Sequence, residues 1–198
     1  MTPKPYIPND NWSRRAASEG YRARSVYKLQ ELDDRFHLMR SGMKVLDIGA
    51  APGSWLQYVS KKIGPTGVAI GLDLKSIESI APNVQTFVAD MNDHAGITAI
   101  MQSLSIPEFD LVLSDIAPNT SGIKDVDQWR SLELSRAVVA VARNRLKPGG
   151  YLVMKVFRGR DFDAFLHEVS DEYSSVRQVS VDATRDRSRE VYVVCRNG

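Results

Sequence analysis

Four short apolar runs, each with an aspartate at or beside its end, constrain what this chain can fold into. They are Val45-Leu46-Asp47-Ile48, Val68 to Leu72 before Asp73, Val84 to Ala89 before Asp90, and Phe109 to Ser114 before Asp115. Runs of this length bounded by turn residues suit buried strands. After the first run, Trp55, Leu56, Val59 and Ile63 mark one face of a helix ended by Gly64-Pro65. Further helices are expected over His94 to Leu104 and Gln128 to Leu146. Strands alternating with helices predict an α/β chain built on an open, mostly parallel sheet. Ligands of such sheets bind beyond the carboxyl ends of the strands, so the aspartates should line one crevice.

The first run opens into Gly49-Ala50-Ala51-Pro52-Gly53-Ser54-Trp55. Glycines there permit a tight turn and close approach of a ligand, and the helix start offers free N–H groups. The Gly49-x-x-x-Gly53 spacing is neither the dinucleotide fingerprint nor a phosphate loop, which disfavours pyrophosphate. An acid beside the glycines suits a cationic ligand, and S-adenosylmethionine carries both a sulfonium and an ammonium. Asp73, about 20 residues beyond the glycines, is the candidate for the adenosine ribose hydroxyls.

Elsewhere, Pro3, Pro5 and Pro8 argue against regular structure at the start, and the first helix is expected from Ser25 to about Leu38. Its stripe is Val26, Leu29, Leu32 and Phe36; at ~100° per residue Lys28 falls at the edge of that buried face. Lys147-Pro148-Gly149-Gly150 reads as a turn and Tyr151 to Phe157 as a strand. Lys155 lies inside that strand, where an uncompensated charge costs several kcal/mol. A helix from Asp161 to about Tyr173, a strand around Val176 to Val181, a loop from Asp182 to Arg189 and a strand from Glu190 to Cys195 complete the chain. No helix fits between the last two strands, so they should pair antiparallel.

With 198 residues, 43% of them hydrophobic, one domain with a proper core is expected. Residues 1–40 are expected to form a basic arm and helix, and residues 43–196 the core that binds the ligand. The single Cys195 sits in an apolar run and reads as a buried, reduced thiol. No run approaches the ~18 residues of a membrane span, and the first ten residues lack a secretory pattern, so a cytoplasmic monomer is expected. Lys4, Arg14, Arg15, Arg22, Arg24 and Lys28 face only Asp10 and Glu19 in the first thirty residues. Such clustering suits phosphate contacts, although a solvated basic helix gives the same pattern. Arg158, Arg160, Arg185, Arg187 and Arg189 extend the basic rim, or are simply solvated surface.

Five motifs in order resemble the FtsJ/RrmJ family of ribose 2′-O-methyltransferases. They are Tyr21 to Leu29, Gly49 to Trp55, Ser114-Asp115-Ile116-Ala117-Pro118-Asn119, Lys155-Val156-Phe157 and Ser188-Arg189-Glu190-Val191-Tyr192. The resemblance spans about Arg14 to Cys195. It implies a Rossmann-like class I methyltransferase fold: a seven-stranded, mostly parallel sheet, helices on both faces, and an antiparallel last strand inserted between its neighbours. It places the family's catalytic Lys-Asp-Lys-Glu set on Lys28, Asp115, Lys155 and Glu190, with Lys155 as general base and no metal. Adenosylmethionine would be held at Gly53, Trp55, Asp73, Asp90 and Asp115. The resemblance implies a minimal domain, without the extra C-terminal region of the family's larger eukaryotic members. Compact members resemble the enzyme for a uridine in the A loop of large-subunit rRNA, acting on an assembled particle, while close relatives act on tRNA anticodon loops.

The residues by themselves support that chemistry. Methyl transfer to a hydroxyl needs alignment and a base, and Lys155 must lose its proton to serve. Lys28 and a bound sulfonium would favour that loss, and Asp115 and Glu190 would oppose it. Plainer readings exist: Asp73 and Asp90 as polar strand ends, Trp55 as core, Lys155 as a structural partner of Asp115, and Lys28 as a surface lysine. His37, His94 and His167 show no ligand spacing. The rival from another class is a non-catalytic RNA-binding or ribosome-assembly factor on the same fold.

Overall fold

The computed structural model describes residues 11–182 and 189–198. The prolines and Lys4 of the first ten residues, and Arg185, Arg187 and Ser188, lie outside the described residues. The elements run α1 (Asn11–Ser18), α2 (Val26–Phe36), β1 (Lys44–Ile48), α3 (Ser54–Ile63), β2 (Val68–Asp73), β3 (Val84–Val88) and α4 (His94–Ser103). They continue with β4 (Phe109–Ser114), α5 (Lys124–Arg145), β5 (Leu146–Phe157), α6 (Phe162–Ser170), β6 (Ser175–Val179) and β7 (Glu190–Arg196). The sheet order is β3-β2-β1-β4-β5-β7-β6. The pairs from β3 across to β5 are parallel, and β7 lies antiparallel between β5 and β6. This is the Rossmann-like arrangement with the inserted last strand.

Alternation along each strand divides the core in two. Leu46, Ile48, Ile70, Val112, Leu152 and Met154 face α4, α5 and α6, which contribute Ile97, Met101, Leu132, Val138 and Phe165. Val45, Ala69, Leu111, Leu113, Val153 and Tyr192 face α2 and α3, which contribute Leu29, Leu32, Leu56, Val59 and Ile63. Each fully buried aliphatic side chain stabilises the fold by about 1.5–3 kcal/mol, so both helical layers are firmly held. The periodic residues read from the sequence are the ones that pack.

Three expectations need correction. A helix precedes the expected one: α1 buries only Ala16, too little to leave an apolar stripe. The α1 helix is held instead by Trp12, whose ring centroid lies 5.1 Å from that of Tyr27. The α5 helix begins at Lys124, four residues early, because the Asp127 carboxylate accepts the Ser121 N–H at 2.6 Å and the Gly122 N–H at 3.1 Å and so fixes its entry. The expected turn at Lys147–Gly150 is a bulge inside a longer β5, where the pairing shifts from Phe109–Leu146 to Leu111–Tyr151. The Asn197 side-chain amide donates to the carbonyls of Leu146 and Lys147 at 2.9 and 3.1 Å, satisfying the bulge. Cys195 is buried, and desolvation pushes its thiol up to about 12. Among the described residues, no helix is long and apolar enough to cross a membrane.

Candidate active site

Strand order reverses between β1 and β4, and the chain leaves β1 and β4 on opposite courses at their carboxyl ends. A cleft of about 420 Å³ opens there, walled by Gly49, Asp73, Asp90 and Asp115 with apolar Leu72, Met91, Ile116 and Pro118. Three of the four strand-tip acids therefore share one crevice. Gly49 sits at φ +78°, and a Cβ there would lie 2.8 Å from that of Ile116, so only glycine lets the turns after β1 and β4 meet. Gly53 starts α3 at φ +102°.

Both Asp73 carboxylate oxygens are oriented by backbone: one accepts the Ala51 N–H at 2.9 Å and the other the Lys75 N–H at 2.9 Å. Asp90 accepts from the backbone and side-chain amides of Asn92, each at 2.9 Å. Each of these oxygens can accept more than one hydrogen bond. Asp47, the fourth acid, points to the α2–α3 side and is 1% exposed, and neither carboxylate oxygen has a partner. Burial first, then the charges of Asp115 and Asp73, raise its carboxyl well above the usual carboxylate range.

Beside the cleft lies a cluster of charges. Lys155 Nζ is 3.0 Å from Asp115 Oδ1 and donates to the Asp115 carbonyl at 2.6 Å, with the lysine side chain only 6% exposed. Tyr192, opposite Lys155 in the β5–β7 register, donates its hydroxyl to Asp115 Oδ1 at 2.7 Å. Lys28 turns inward from α2 and donates to Glu190 Oε2 at 2.7 Å. Its ammonium lies 5.8 Å from the Tyr192 ring centroid, which links the two pairs. Burial alone would raise the Asp115 carboxyl, but Lys155, Lys28 and the Tyr192 hydroxyl together hold it below the usual range. Burial, Asp115 and Glu190 push the Tyr192 phenol far up, so it remains a donor at neutral pH.

The structure thus brings Lys28, Asp115, Lys155 and Glu190 together, and sets Asp73 and Asp90 on the adjoining cleft. Gly53 and Trp55 lie outside the walls of that cleft. Trp55 is 3% exposed; its indole donates to the Ser25 carbonyl at 2.8 Å and its ring centroid lies 6.1 Å from that of Tyr192. That contact ties the start of α2, and with it Lys28, to α3. Tyr192 is the residue whose place sequence reasoning left unassigned. Its signal was the alternation that puts Glu190 and Tyr192 on one face of β7.

The basic arm is less free than its charge suggests. Arg22 donates to the carbonyls of Pro52, Glu78 and Ser79 at 3.1, 2.9 and 3.0 Å, and Arg15 pairs with Glu19 at 2.7 Å. Arg158 bonds Gln178 at 2.9 Å and Arg189 reaches the Lys124 carbonyl at 3.4 Å, while Arg160 is exposed.

A strand-tip cleft rich in carboxylates, with a buried lysine at its edge, can hold a cationic ligand and move a proton. Known proteins of similar sequence have matching names. The FtsJ-like methyltransferase family matches residues 21–198. "Ribosomal RNA large subunit methyltransferase E" of Methanothrix thermoacetophila is 44% identical over 93% of this chain and 71% of its own length. The protein of the same name from Syntrophobacter fumaroxidans is 41% identical over 96% of this chain and 95% of its own length. Among solved structures, one described as a ribosomal RNA methyltransferase of Plasmodium falciparum aligns with a TM-score of 0.78 at 27% identity, covering 89% of this chain and 98% of that one. A fibrillarin/Nop5p complex, at a TM-score of 0.61 and 19% identity over 86% of this chain and 81% of its own, shares the fold. By the length and identity of these matches, the chain belongs to the FtsJ-like methyltransferase family.

Proposed function

We propose that this protein transfers a methyl group from S-adenosylmethionine to a ribose 2′-hydroxyl of large-subunit ribosomal RNA, at a uridine of the A loop in the assembled particle. The observation that carries the chemistry is Lys155 held by Asp115, itself bonded by Tyr192, beside the acid-lined cleft. The cleft suits a ligand of this kind. Three carboxylates favour positive charge, and Leu72, Met91, Ile116 and Pro118 offer an apolar wall for a flat base.

Asp73 would take the adenosine ribose hydroxyls on oxygens already oriented by backbone, with Asp90 and Asp115 further along the same wall. Gly53 and Trp55 would act from behind, by shaping the turn and seating α2. Bound there, adenosylmethionine would supply an electrophilic methyl on sulfur. The ribose hydroxyl would take that methyl while its proton passes to the unprotonated Nζ of Lys155. Two lysines and two carboxylates cancel at rest, so losing one proton from Lys155 leaves a net negative cluster that a cationic cofactor offsets. Asp115 and Tyr192 fix the position of Lys155, and Glu190 keeps Lys28 aimed inward. The relatives' shared name favours ribosomal RNA over tRNA as substrate.

The test is transfer of labelled methyl to unmethylated large subunits, with bulk tRNA in parallel and Lys155→Ala as control, the product mapped by nucleotide. Label at a 2′-oxygen of the A loop that vanishes with Lys155→Ala is the expected result. Label only in tRNA would move the substrate. Cofactor binding with no transfer to either RNA would favour the assembly-factor reading.

A further inference from the structure

At the edge of the sheet opposite the cleft, β5, β7 and β6 carry a second constellation on the same face as Lys155 and Tyr192. Tyr151 and Ser175 both pair with Arg196, and Arg177 pairs with Val194. Arg177 and Arg196 are therefore diagonal neighbours on adjacent strands, ~7–8 Å apart at the backbone. Arg35 joins them from the last turn of α2, and the group lines a groove of about 370 Å³.

Arg177 and Arg196 are exposed, and neither has a carboxylate partner among the described residues. Elsewhere on the surface, Arg15, Arg136 and Arg143 each pair with glutamates. The Arg196 guanidinium lies 5.8 Å from the Tyr151 ring centroid, within range of a cation–π contact. Arg35 donates to the Ser180 carbonyl at 3.1 Å and pairs with Glu31, which itself accepts the Asp182 N–H at 2.8 Å. Two guanidinium charges therefore remain uncancelled side by side, which costs self-repulsion unless an anion is brought in.

We propose that this groove is a second RNA-backbone site, in which Arg177 and Arg196 grip phosphates of the same RNA whose ribose reaches Lys155. The inference rests on the RNA methyltransferase reading. The planar forks of arginine match phosphate oxygens, and the Ser175 hydroxyl adds a donor between them. Charge complementarity selects a polyanion, and the distance from the groove to the reaction edge selects RNA. The β7 strand runs unbroken from Glu190 at the reaction edge to Arg196 at the groove, ~20 Å at ~3.4 Å per residue. The α2 helix covers the sheet between these ends, with Lys28 near one and Arg35 near the other. A folded RNA reaching from the groove around the β6 edge to the cleft touches both ends, while a single nucleotide does not.

The test compares the full-length Arg177→Glu/Arg196→Glu variant with Arg143→Glu/Arg145→Glu. The second variant makes the same change of charge on α5, across the sheet. Affinity for protein-free large-subunit rRNA and for large subunits is measured over a range of salt concentrations, together with methyl transfer and adenosylmethionine binding. The groove variant should bind both RNAs about tenfold more weakly, and the slope of log affinity against log salt should flatten by about one per arginine removed. Its KM for RNA should rise while kcat and cofactor affinity hold, and the α5 variant should match wild type. Equal weakening by both variants, or by neither, overturns the proposal. A loss confined to ribosomal particles overturns it too, because the partner is then a ribosomal protein. If wild type methylates no RNA yet the groove variant alone loses RNA binding, the functional reading fails and the groove stands.

Discussion

Two clusters in this protein are built from the same three residue types and behave differently. At the end of α2, Asp33 accepts from the Tyr58 hydroxyl at 2.9 Å and the Met39 N–H at 3.0 Å, and Lys62 Nζ lies 3.1 Å away. At the strand tips, Asp115 accepts from the Tyr192 hydroxyl at 2.7 Å, with Lys155 Nζ at 3.0 Å. The lysines differ most: the Lys62 side chain is 43% exposed and Lys155 only 6%. Water screens the first pair, so its lysine is a replaceable neighbour of a carboxylate that anchors the C-terminal end of a helix. The second pair is desolvated, coupled to Lys28 and Glu190, and open to a cleft. An aspartate, a tyrosine and a lysine make a structural clamp in one place and a candidate proton-transfer site in the other; burial of the lysine and access to a ligand decide which.

The sharpest break between the clusters is expected from their lysines. Lys155→Ala should lower kcat for methyl transfer by about a thousandfold, the scale of a lost general base, with Lys62→Ala within about twofold of wild type. Labelled-methyl assays on one RNA preparation measure both. The aspartates should invert the contrast in stability: Asp33→Ala strands a buried hydroxyl and an N–H and is expected to cost about 3 kcal/mol in urea unfolding, while activity per folded molecule holds. An equal loss of activity would collapse the comparison. The tyrosines provide a finer test. Tyr192→Phe and Tyr58→Phe should each cost about 1 kcal/mol, but only the first should lower kcat, by about tenfold, because only Tyr192 positions Asp115.

The smallest effect concerns Asp47, which joins neither cluster. Its raised carboxyl keeps a proton in the folded protein that the unfolded chain releases above about pH 4. Stability from this site is complete below that pH and is lost as pH rises through the folded value. Asp47→Asn cannot ionise, so it should unfold like wild type near pH 4 and exceed it by a margin that grows as pH rises from there. A constant difference across pH would show that the proton is not retained.

Much of this architecture was legible because strands in a parallel sheet are apolar runs and their tips carry polarity. All four early strands and the antiparallel closing pair follow from that pattern, and Lys28 lies at the edge of its helix stripe as its angle implies. What stayed hidden depends on distant partners. The α1 helix is held by a ring contact with Tyr27 rather than by its own stripe. Arg22 counts as a free positive charge in the sequence, yet three carbonyls from two separate segments hold it in the fold. The role of Tyr192 required knowing that β7 lies beside β5 in a register that sets it against Lys155. The groove arginines come from α2, β6 and β7, and no local motif joins them.

The place of β7 also determines when the proposed site can be complete. Synthesis delivers β5 and β6 before the strand that must lie between them, so the sheet has an open slot until residues 190–196 arrive. Until then Lys28 lacks Glu190, Asp115 lacks the Tyr192 hydroxyl, and Lys155 lies on an unpaired edge. A nascent chain short of this strand therefore holds the cleft without the finished proposed proton-transfer site. Insertion of a single strand joins β6 to the sheet and completes the charge pairing together, so the fold and the proposed site are completed in one event.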